Sequence, residues 1–365
     1  MKKIVILVDQ LNSHGGIEKL VAVKANYWAE VFQYDVTIIA TEQLQKPIIY
    51  ELSSKVKFID LAINYNRSKS YFSPANVFKF LRNVWLIQTY ILKNKPHFIN
   101  VASHIPITYF LPFLITKAKT MKEFHFTKFS RPLVGMKAKV LNYIEGKYDY
   151  LIVLSNEERQ FYPSKNAVVI ANPIEQLAPS TTNYPQNENI ALFVGRPAPV
   201  KQLEKLVAVW TKFIQQKPNW KLHLFGSTDD DYSRKIQQLV IENDIKESFI
   251  FKGQSNKIAA ELAKAKVLLM TSEQECFPMV ILEAHAAGIP VISFDSPTGP
   301  RNIIHNNIDG ILVEYNNIDS FVQTLVRFDE DIALQNLLSK NAAENAKNYH
   351  IDTIMNRWND LIFTK

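Results

Sequence analysis

The sequence predicts an α/β protein built from two doubly wound domains that face each other across a cleft. Three observations carry this. The 365 residues exceed one ordinary core and suit two. Apolar runs of strand length alternate with longer helical patterns almost throughout, the order of parallel sheets covered by helices on both faces. One polar segment divides that alternation into two halves.

The first run, Lys3 to Val8, is too short for a secretory signal and stops at Asp9, so it reads as a buried strand. His14-Gly15-Gly16-Ile17-Glu18-Lys19 follows it and opens the first helix. Two adjacent glycines let backbone approach a ligand closely, which fits a phosphate or acceptor loop and equally a plain turn; the pattern is not GxGxxG. Further strands are expected at Asp35 to Ala40, Val56 to Phe58, Phe98 to Ala102, Lys122 to Phe126, Tyr150 to Leu154 and Ala167 to Ile170. This gives a first domain over residues 1–172. The linker, 173–189, is rich in Pro, Ser, Thr, Asn and Gln. The second domain, 190–349, has strands at Ile190 to Val194, Lys221 to Phe225, Phe249 to Lys252, Val267 to Met270, Val291 to Phe294 and Ile311 to Val313. Ile354, Trp358 and Ile362 recur at helical spacing in a last amphipathic helix, at about 350–365, expected to pack back on the first domain.

Composition narrows the class. Apolar residues make up 47% and charged residues 21%, which is globular and excludes disorder. Cys276 is the only cysteine, so no disulfide or cysteine-based zinc site can form, and a reducing, cytoplasmic location is expected. The apolar stretch Ile105 to Ile115 contains two prolines and falls short of the ~20 residues a spanning helix needs. The net charge is +7, and its distribution is uneven. From Arg67 to Lys139 the cations are Arg67, Lys69, Lys79, Arg82, Lys93, Lys95, Lys117, Lys119, Lys122, Lys128, Arg131, Lys137 and Lys139, against Glu123 alone. Such a field attracts anionic lipid, nucleic acid or a phosphorylated substrate. Tyr71, Phe72, Phe78, Phe80, Trp85, Tyr90 and Ile91 lie among these cations, favouring peripheral contact with the inner membrane face over nucleic acid, although aromatics at helical spacing also build cores.

The chemistry concentrates in Thr271 to Pro290, read as strand, loop, helix, strand. Glu275 falls on a loop at a strand's carboxyl end, where ligands bind in open α/β sheets, and Glu283 about two turns into a helix that starts near Pro278 and ends at Gly288. A helix start there offers unpaired N–H groups to a diphosphate. The carboxylates suit vicinal hydroxyls of sugar or ribose, each charge-assisted bond contributing about 1.5–3 kcal/mol. Alone, they read by default as surface glutamates on an ordinary amphipathic helix. Gly195-Arg196 follows the strand Ile190 to Val194, and Lys201 enters the helix Leu203 to Phe213, so two cations are placed to meet a leaving diphosphate. Asp229-Asp230-Asp231 reads as a solvated turn, and no metal site is implied.

Together these residues resemble the retaining family-4 glycosyltransferases (GT4) of the GT-B fold, two Rossmann-like domains, over nearly the whole chain. Glu275 and Glu283 match the family's Glu-x7-Glu motif, followed by Ala284, Gly288, Pro290 and Val291. Gly195-Arg196 with Lys201 resembles its phosphate pair, Gly15-Gly16-Ile17-Glu18 its N-terminal loop, and Asn172-Pro173 its turn before the linker. The resemblance implies a hexosyltransferase using a nucleotide sugar, UDP-linked by expectation, as substrate rather than cofactor, and acting on a glycan or lipid-linked acceptor in bacterial cell-surface polysaccharide synthesis. It assigns Glu275 to the transferred sugar, Glu283 to the ribose, Arg196 and Lys201 to the diphosphate, and the Gly15 and Gly16 amides to the same diphosphate. Gly195, Phe277, Pro278, Met279 and Val280 would complete the donor site. It places His125 near the anomeric centre, with His104 as a second candidate. No metal or other cofactor and no nucleic acid is implied. Three positions depart from the pattern: Cys276 stands where Gly is usual, Asn302 where Glu is usual, and Pro197 follows Arg196. Two other readings are a soluble GT-B enzyme that glycosylates a small metabolite or protein, and a non-catalytic nucleotide-sugar-binding protein.

Overall fold

Lys3–Val8 (β1) is a central strand because five of its six residues are buried, leaving no face for water, and both its edges are paired. The computed structural model describes residues 1–13, 15–102, 104–127, 134–162, 164–175, 188–255 and 257–363. Residues Met1–Ala171 with Ile354–Lys365 form one unit and Asn172–Thr353 a second.

In the first unit, β1 is followed by α1 (Gly16–Glu30), β2 (Asp35–Ala40), β3 (Lys57–Asp60), α2 (Val77–Asn94), β4 (Phe98–Val101), β5 (Lys119–Glu123), α3 (Gly135–Glu145), β6 (Tyr150–Val153), α4 (Asn156–Arg159) and β7 (Ala167–Val169). The strands form a parallel sheet in the order β3-β2-β1-β4-β5-β6-β7. The sequential order reverses between β1 and β4. The final helix of the chain belongs here: its Ile354, Met355, Trp358 and Ile362 are buried, and Trp358 meets Trp28 of α1 edge to face at 5.7 Å.

The second unit repeats the plan with β8 (Ile190–Val194), α5 (Leu203–Gln216), β9 (Lys221–Phe225), α6 (Asp231–Glu242), β10 (Phe249–Gly253), α7 (Ile258–Leu262), β11 (Val267–Met270), α8 (Met279–Ala286), β12 (Val291–Phe294), β13 (Gly310–Val313), α9 (Ile318–Glu330) and α10 (Ile332–Ala346), before α11 (Ile351–Phe363) crosses back. Its parallel sheet runs β10-β9-β8-β11-β12-β13, reversing between β8 and β11. Leu203, Leu206, Val207, Trp210 and Phe213 recur every three or four residues on the buried face of α5, the stripe that seats it on the sheet.

Several expectations need correction. The strand expected at Lys122 to Phe126 lies at Lys119–Glu123, because its polar residues are buried with partners: Lys122 with Glu145, and Glu123 with Lys24. The run Val56 to Phe58 forms a strand one residue later, at Lys57–Asp60. Asp230 is more than a solvated turn residue, since its carboxylate caps α6 by accepting from the Ser233 N–H at 2.8 Å. Glu283 is the fifth residue of an eight-residue helix, little more than one turn in. The basic field loses Lys122 to the core and Arg67 to ion pairs with Asp9 and Glu42, while Phe80 and Ile91 are buried. Residues 176–187 of the expected linker, Lys128, Arg131 and His14 lie outside the described residues. Among the described residues, no helix is long and apolar enough to cross a membrane.

Candidate functional site

In an open parallel sheet, the loops leaving two neighbouring strands at the point of reversal go to opposite faces and leave a crevice at the carboxyl ends. In the second unit that point lies between β8 and β11. The β8 loop carries Gly195, Arg196 and Lys201; the β11 loop carries Glu275.

The two loops are tied together. The Glu273 N–H donates to the Val200 carbonyl at 2.8 Å, and the Thr271 hydroxyl donates to the carbonyls of Lys201 and Gln202 at 3.0 and 3.2 Å. Lys201, at the end of a tight turn over Pro199–Lys201, forms an ion pair with Glu275, and the Ser272 hydroxyl donates to the same carboxylate at 2.8 Å. Lys201 thus touches the very group with which the sequence made it share a ligand. Thr298 and Gly299 hold Glu275 from the other side. The Thr298 hydroxyl donates to the Glu275 carbonyl at 2.8 Å, and a side chain at Gly299 would overlap Glu275 Cβ and stand 2.9 Å from its carbonyl oxygen. Asn302, where the resemblance expected Glu, donates to the Thr298 carbonyl at 2.7 Å and so braces this loop.

Arg196 is exposed and makes no hydrogen bond or ion pair among the described residues. Its loop is set by a close approach: a side chain at Gly226, just past β9, would overlap the Gly195 carbonyl and reach within 2.7 Å of Pro197 Cδ. Pro197 is therefore part of the support. Sequence reading did not single out Ser272, Gly226 or Gly299, although each glycine follows a strand or opens a turn, the one signal available.

Pro278 precedes α8 in extended conformation, and the first-turn amides of Met279 and Val280 begin the helix. The Phe277 ring is buried against Tyr349 at 5.8 Å, so any donor contact at this position is through backbone. Cys276 is likewise buried, its thiol turned into the protein. Glu283 is half-buried. Two residues further, His285 is fully buried, and burial, with the charge of His305, lowers its pKa to about 3.

The first unit holds the remaining candidates. Gly15 is the residue before α1, and a side chain there would collide with Glu18, whose carboxylate folds back over it and accepts from Ser13 Oγ at 2.7 Å. Gly16 is exposed, and a side chain there would point into open space. Glu18 thus competes for the helix start assigned to a diphosphate, leaving Gly16 as the open position. His125 lies two residues beyond β5, its Nε2 3.2 Å from Glu123 Oε2. His104, beyond β4, is exposed and hydrogen-bonds the Tyr109 hydroxyl at 2.9 Å. Both histidines line one cavity of about 310 Å³ with Lys122, Phe126, Leu141 and Tyr162. Among the described residues, no cluster of His, Cys, Asp or Glu has metal-holding geometry.

The family model "Glycosyl transferases group 1" matches residues 176–347. An amylovoran biosynthesis glycosyltransferase, AmsD of Erwinia amylovora, is 24% identical over 99% of this chain and 100% of its own length; an uncharacterized glycosyltransferase of Haemophilus influenzae gives the same figures. An exopolysaccharide phosphotransferase of Streptomyces coelicolor is 31% identical over 46% of this chain, which spans 18% of that relative. Among solved structures, S. aureus TarM, crystallised with α-GlcNAc-glycerol and UDP, superposes with a TM-score of 0.79 at 16% identity, covering 100% of both chains. Two parallel-sheet units and the superposition on TarM give the chain the GT-B fold, and its second unit carries the match to the glycosyl transferases group 1.

Proposed function

We propose that the enzyme transfers a hexose from a UDP-sugar to a hydroxyl of a glycan or lipid-linked acceptor in bacterial cell-surface polysaccharide synthesis, retaining the anomeric configuration. The observation that carries this reading is the meeting of Lys201 and Glu275 at the ends of the two strands where the sheet order reverses. A cation and a carboxylate in one crevice suit a ligand that is anionic at one end and rich in hydroxyls at the other. The name of AmsD, an amylovoran biosynthesis glycosyltransferase, and the UDP and α-GlcNAc-glycerol in the TarM crystal support the same donor and acceptor classes.

In this reading Arg196, Lys201 and the first amides of α8 take the diphosphate and stabilise the charge that grows on it as the anomeric C–O bond breaks. The acceptor oxygen attacks the same face of the sugar, and its proton passes to the departing phosphate oxygen. Glu275 binds sugar hydroxyls, Glu283 the ribose, and His125 the transferred sugar. A thermal-shift panel of nucleotide sugars tests donor binding, because a ligand that binds only the folded state raises its stability. No shift with UDP or any UDP-sugar, or full donor hydrolysis and transfer by Glu275→Ala and Lys201→Ala, overturns the reading.

We further place the enzyme at the cytoplasmic face of an anionic membrane, through its first unit. Between Asp60 and Asp149 the only acids are Glu123 and Glu145, and both are buried and paired with lysines. The exposed charges of that stretch are therefore cationic, among them Arg82, Lys93, Lys95, Lys117, Lys137 and Lys139. Between them lie exposed Phe78, Leu81, Trp85 and Leu92 on α2. The Gln88 amide grips both backbone groups of exposed Ile115, at 2.9 and 3.0 Å, and so lays it beside that stripe. Phe113 stacks with Tyr143 at 6.5 Å and continues the stripe to Met136 and Val140 of α3. Apolar side chains ringed by cations suit an interface of acyl chains and anionic headgroups. Co-sedimentation with phosphatidylglycerol vesicles, weakened by salt and by Trp85→Ser, is expected; no binding at low salt favours a soluble enzyme acting on a metabolite or protein.

A further inference from the structure

A buried lysine interrupts the apolar face of α1. Lys24 is flanked on that face by Leu20, Val21, Ala25 and Trp28, and its own side chain is 2% exposed. Its ammonium reaches both oxygens of Glu123, each at 2.5 Å, and lies 4.8 Å from the centre of the Trp358 ring. Glu123 ends β5, two strands away from β1, and is as deeply buried; the Asn100 amide of β4 donates to it as well. Burial alone pushes the Glu123 pKa up, but Lys24 and His125 outweigh it and hold the carboxyl down to about 2.

A buried ion pair of this kind is a poor source of stability, because desolvating two charges costs as much as their attraction returns, and apolar residues of the same volume do as well or better. Its presence points to the third group it touches. His125 Nε2 is buried 3.2 Å from Glu123 Oε2, with its N–H off the line of a full hydrogen bond. A ring nitrogen facing an ionised carboxylate carries a proton, since two acceptors repel. Glu123, fixed by Lys24 and Asn100, therefore sets both the tilt of the ring and which nitrogen holds hydrogen, leaving Nδ1 for the other side.

We propose that Glu123 is a positioning residue for His125, and that Lys24 is the anchor that keeps it ionised and in place. This rests on the reading of His125 as a group that meets the transferred sugar. The ion pair then links α1, which opens at Gly16, to the residue that follows β5, so one buried contact fixes two of the first unit's candidate elements.

The test is a double-mutant cycle on His125→Ala and Glu123→Gln in the full chain, reading kcat and donor KM. Glu123→Gln is expected to lower kcat about 10²-fold with little change in KM, Glu123→Asp to restore part of the loss, and the double variant to be no worse than His125→Ala. Ring ¹⁵N shifts of His125 report the Nε2–H form in the wild type and its loss in Glu123→Gln. If Glu123→Gln does not fold, Lys24→Met/Glu123→Leu removes both charges together and is assayed instead. Wild-type kcat in the Glu123 variants, or losses that add to those of His125→Ala, overturn the proposal while leaving His125 in its role. Wild-type kcat in His125→Ala overturns the underlying reading instead.

Discussion

Replacing Gly299 with alanine adds one methyl group against the backbone of Glu275. The added carbon would overlap Glu275 Cβ and stand 2.9 Å from the Glu275 carbonyl oxygen. Carbon atoms rest about 3.5–4.0 Å apart, so the two loops must separate by about 1 Å. Neither loop gives freely: the Thr298 hydroxyl bonds the Glu275 carbonyl, Ser272 and Lys201 hold its carboxylate, and Asn302 holds Thr298. Overpacking a closed site of this kind costs about 1–3 kcal/mol, which lowers the Tm of a unit this size by about 2–10 °C. In the role proposed for Glu275, on the transferred sugar, a shift of 1 Å costs about 10²-fold in turnover. Calorimetry and steady-state transfer from UDP-sugars read the two effects separately. An unshifted melting curve with wild-type kcat refutes the packing argument, and a lowered Tm with wild-type kcat refutes the placing of Glu275 on the sugar.

Four further outcomes follow. Trp358→Ala, which removes a ring seated on Trp28 and Lys24, is expected to destabilise the first unit by about 3–5 kcal/mol, read as a lowered Tm. Stability should fall as pH drops below 6.5, because His285 stays neutral in the folded state down to about pH 3 while the unfolded chain takes up the proton. The slope is about 1.4 kcal/mol per pH unit, to which His223, lowered by burial, adds in the same direction. Glu123 acts later, its contribution being full above pH 4.5 and lost as pH falls toward 2, so a slope between pH 6.5 and 4.5 that is undiminished in His285→Leu contradicts the assignment. Transfer should persist in EDTA, since Arg196, Lys201 and the α8 amides are assigned the charge of the diphosphate; loss of activity restored by Mg²⁺ removes that assignment. Gly226→Ala, which displaces the Gly195–Pro197 turn, should raise donor KM more than it lowers kcat, as assayed by initial rates.

The fold was legible because its strands are nearly continuous apolar runs. β1, β2, β8, β9, β11 and β12 fall on the residues expected, each largely buried and apolar, with only Thr37, His223 and Ser293 as buried polar residues among them. The exception, β5, is instructive. Its Lys122 and Glu123 look like surface residues, and only their partners Glu145 and Lys24, 23 and 99 positions away, make them interior. No local pattern encodes such a partner. The same limit applies to the site. Arg196, Lys201 and Glu275 were visible as charged residues just beyond strands, but the contact of Lys201 with Glu275 spans 74 positions and depends on β8 and β11 being neighbours. That the Phe277 ring packs under Tyr349, 72 positions away, was equally beyond any local pattern.

If Lys201 and Glu275 hold the donor as proposed, their ion pair is a built-in exchange. A diphosphate that takes the Lys201 ammonium draws it from Glu275, and the carboxylate, still held by Ser272, becomes free to accept from sugar hydroxyls. Both halves of the donor are then needed to compensate the broken pair. UDP alone supplies only the first half, leaving a partly buried carboxylate with one fewer partner. The pair therefore predicts that Glu275→Gln, which removes the competing charge, binds UDP more tightly than the wild type while losing turnover with the full UDP-sugar. Isothermal titration of UDP against both proteins, beside kcat for transfer, checks this. Weaker UDP binding by Glu275→Gln shows that Lys201 does not move between the two partners, and that Glu275 serves instead to hold Lys201 in place for the diphosphate.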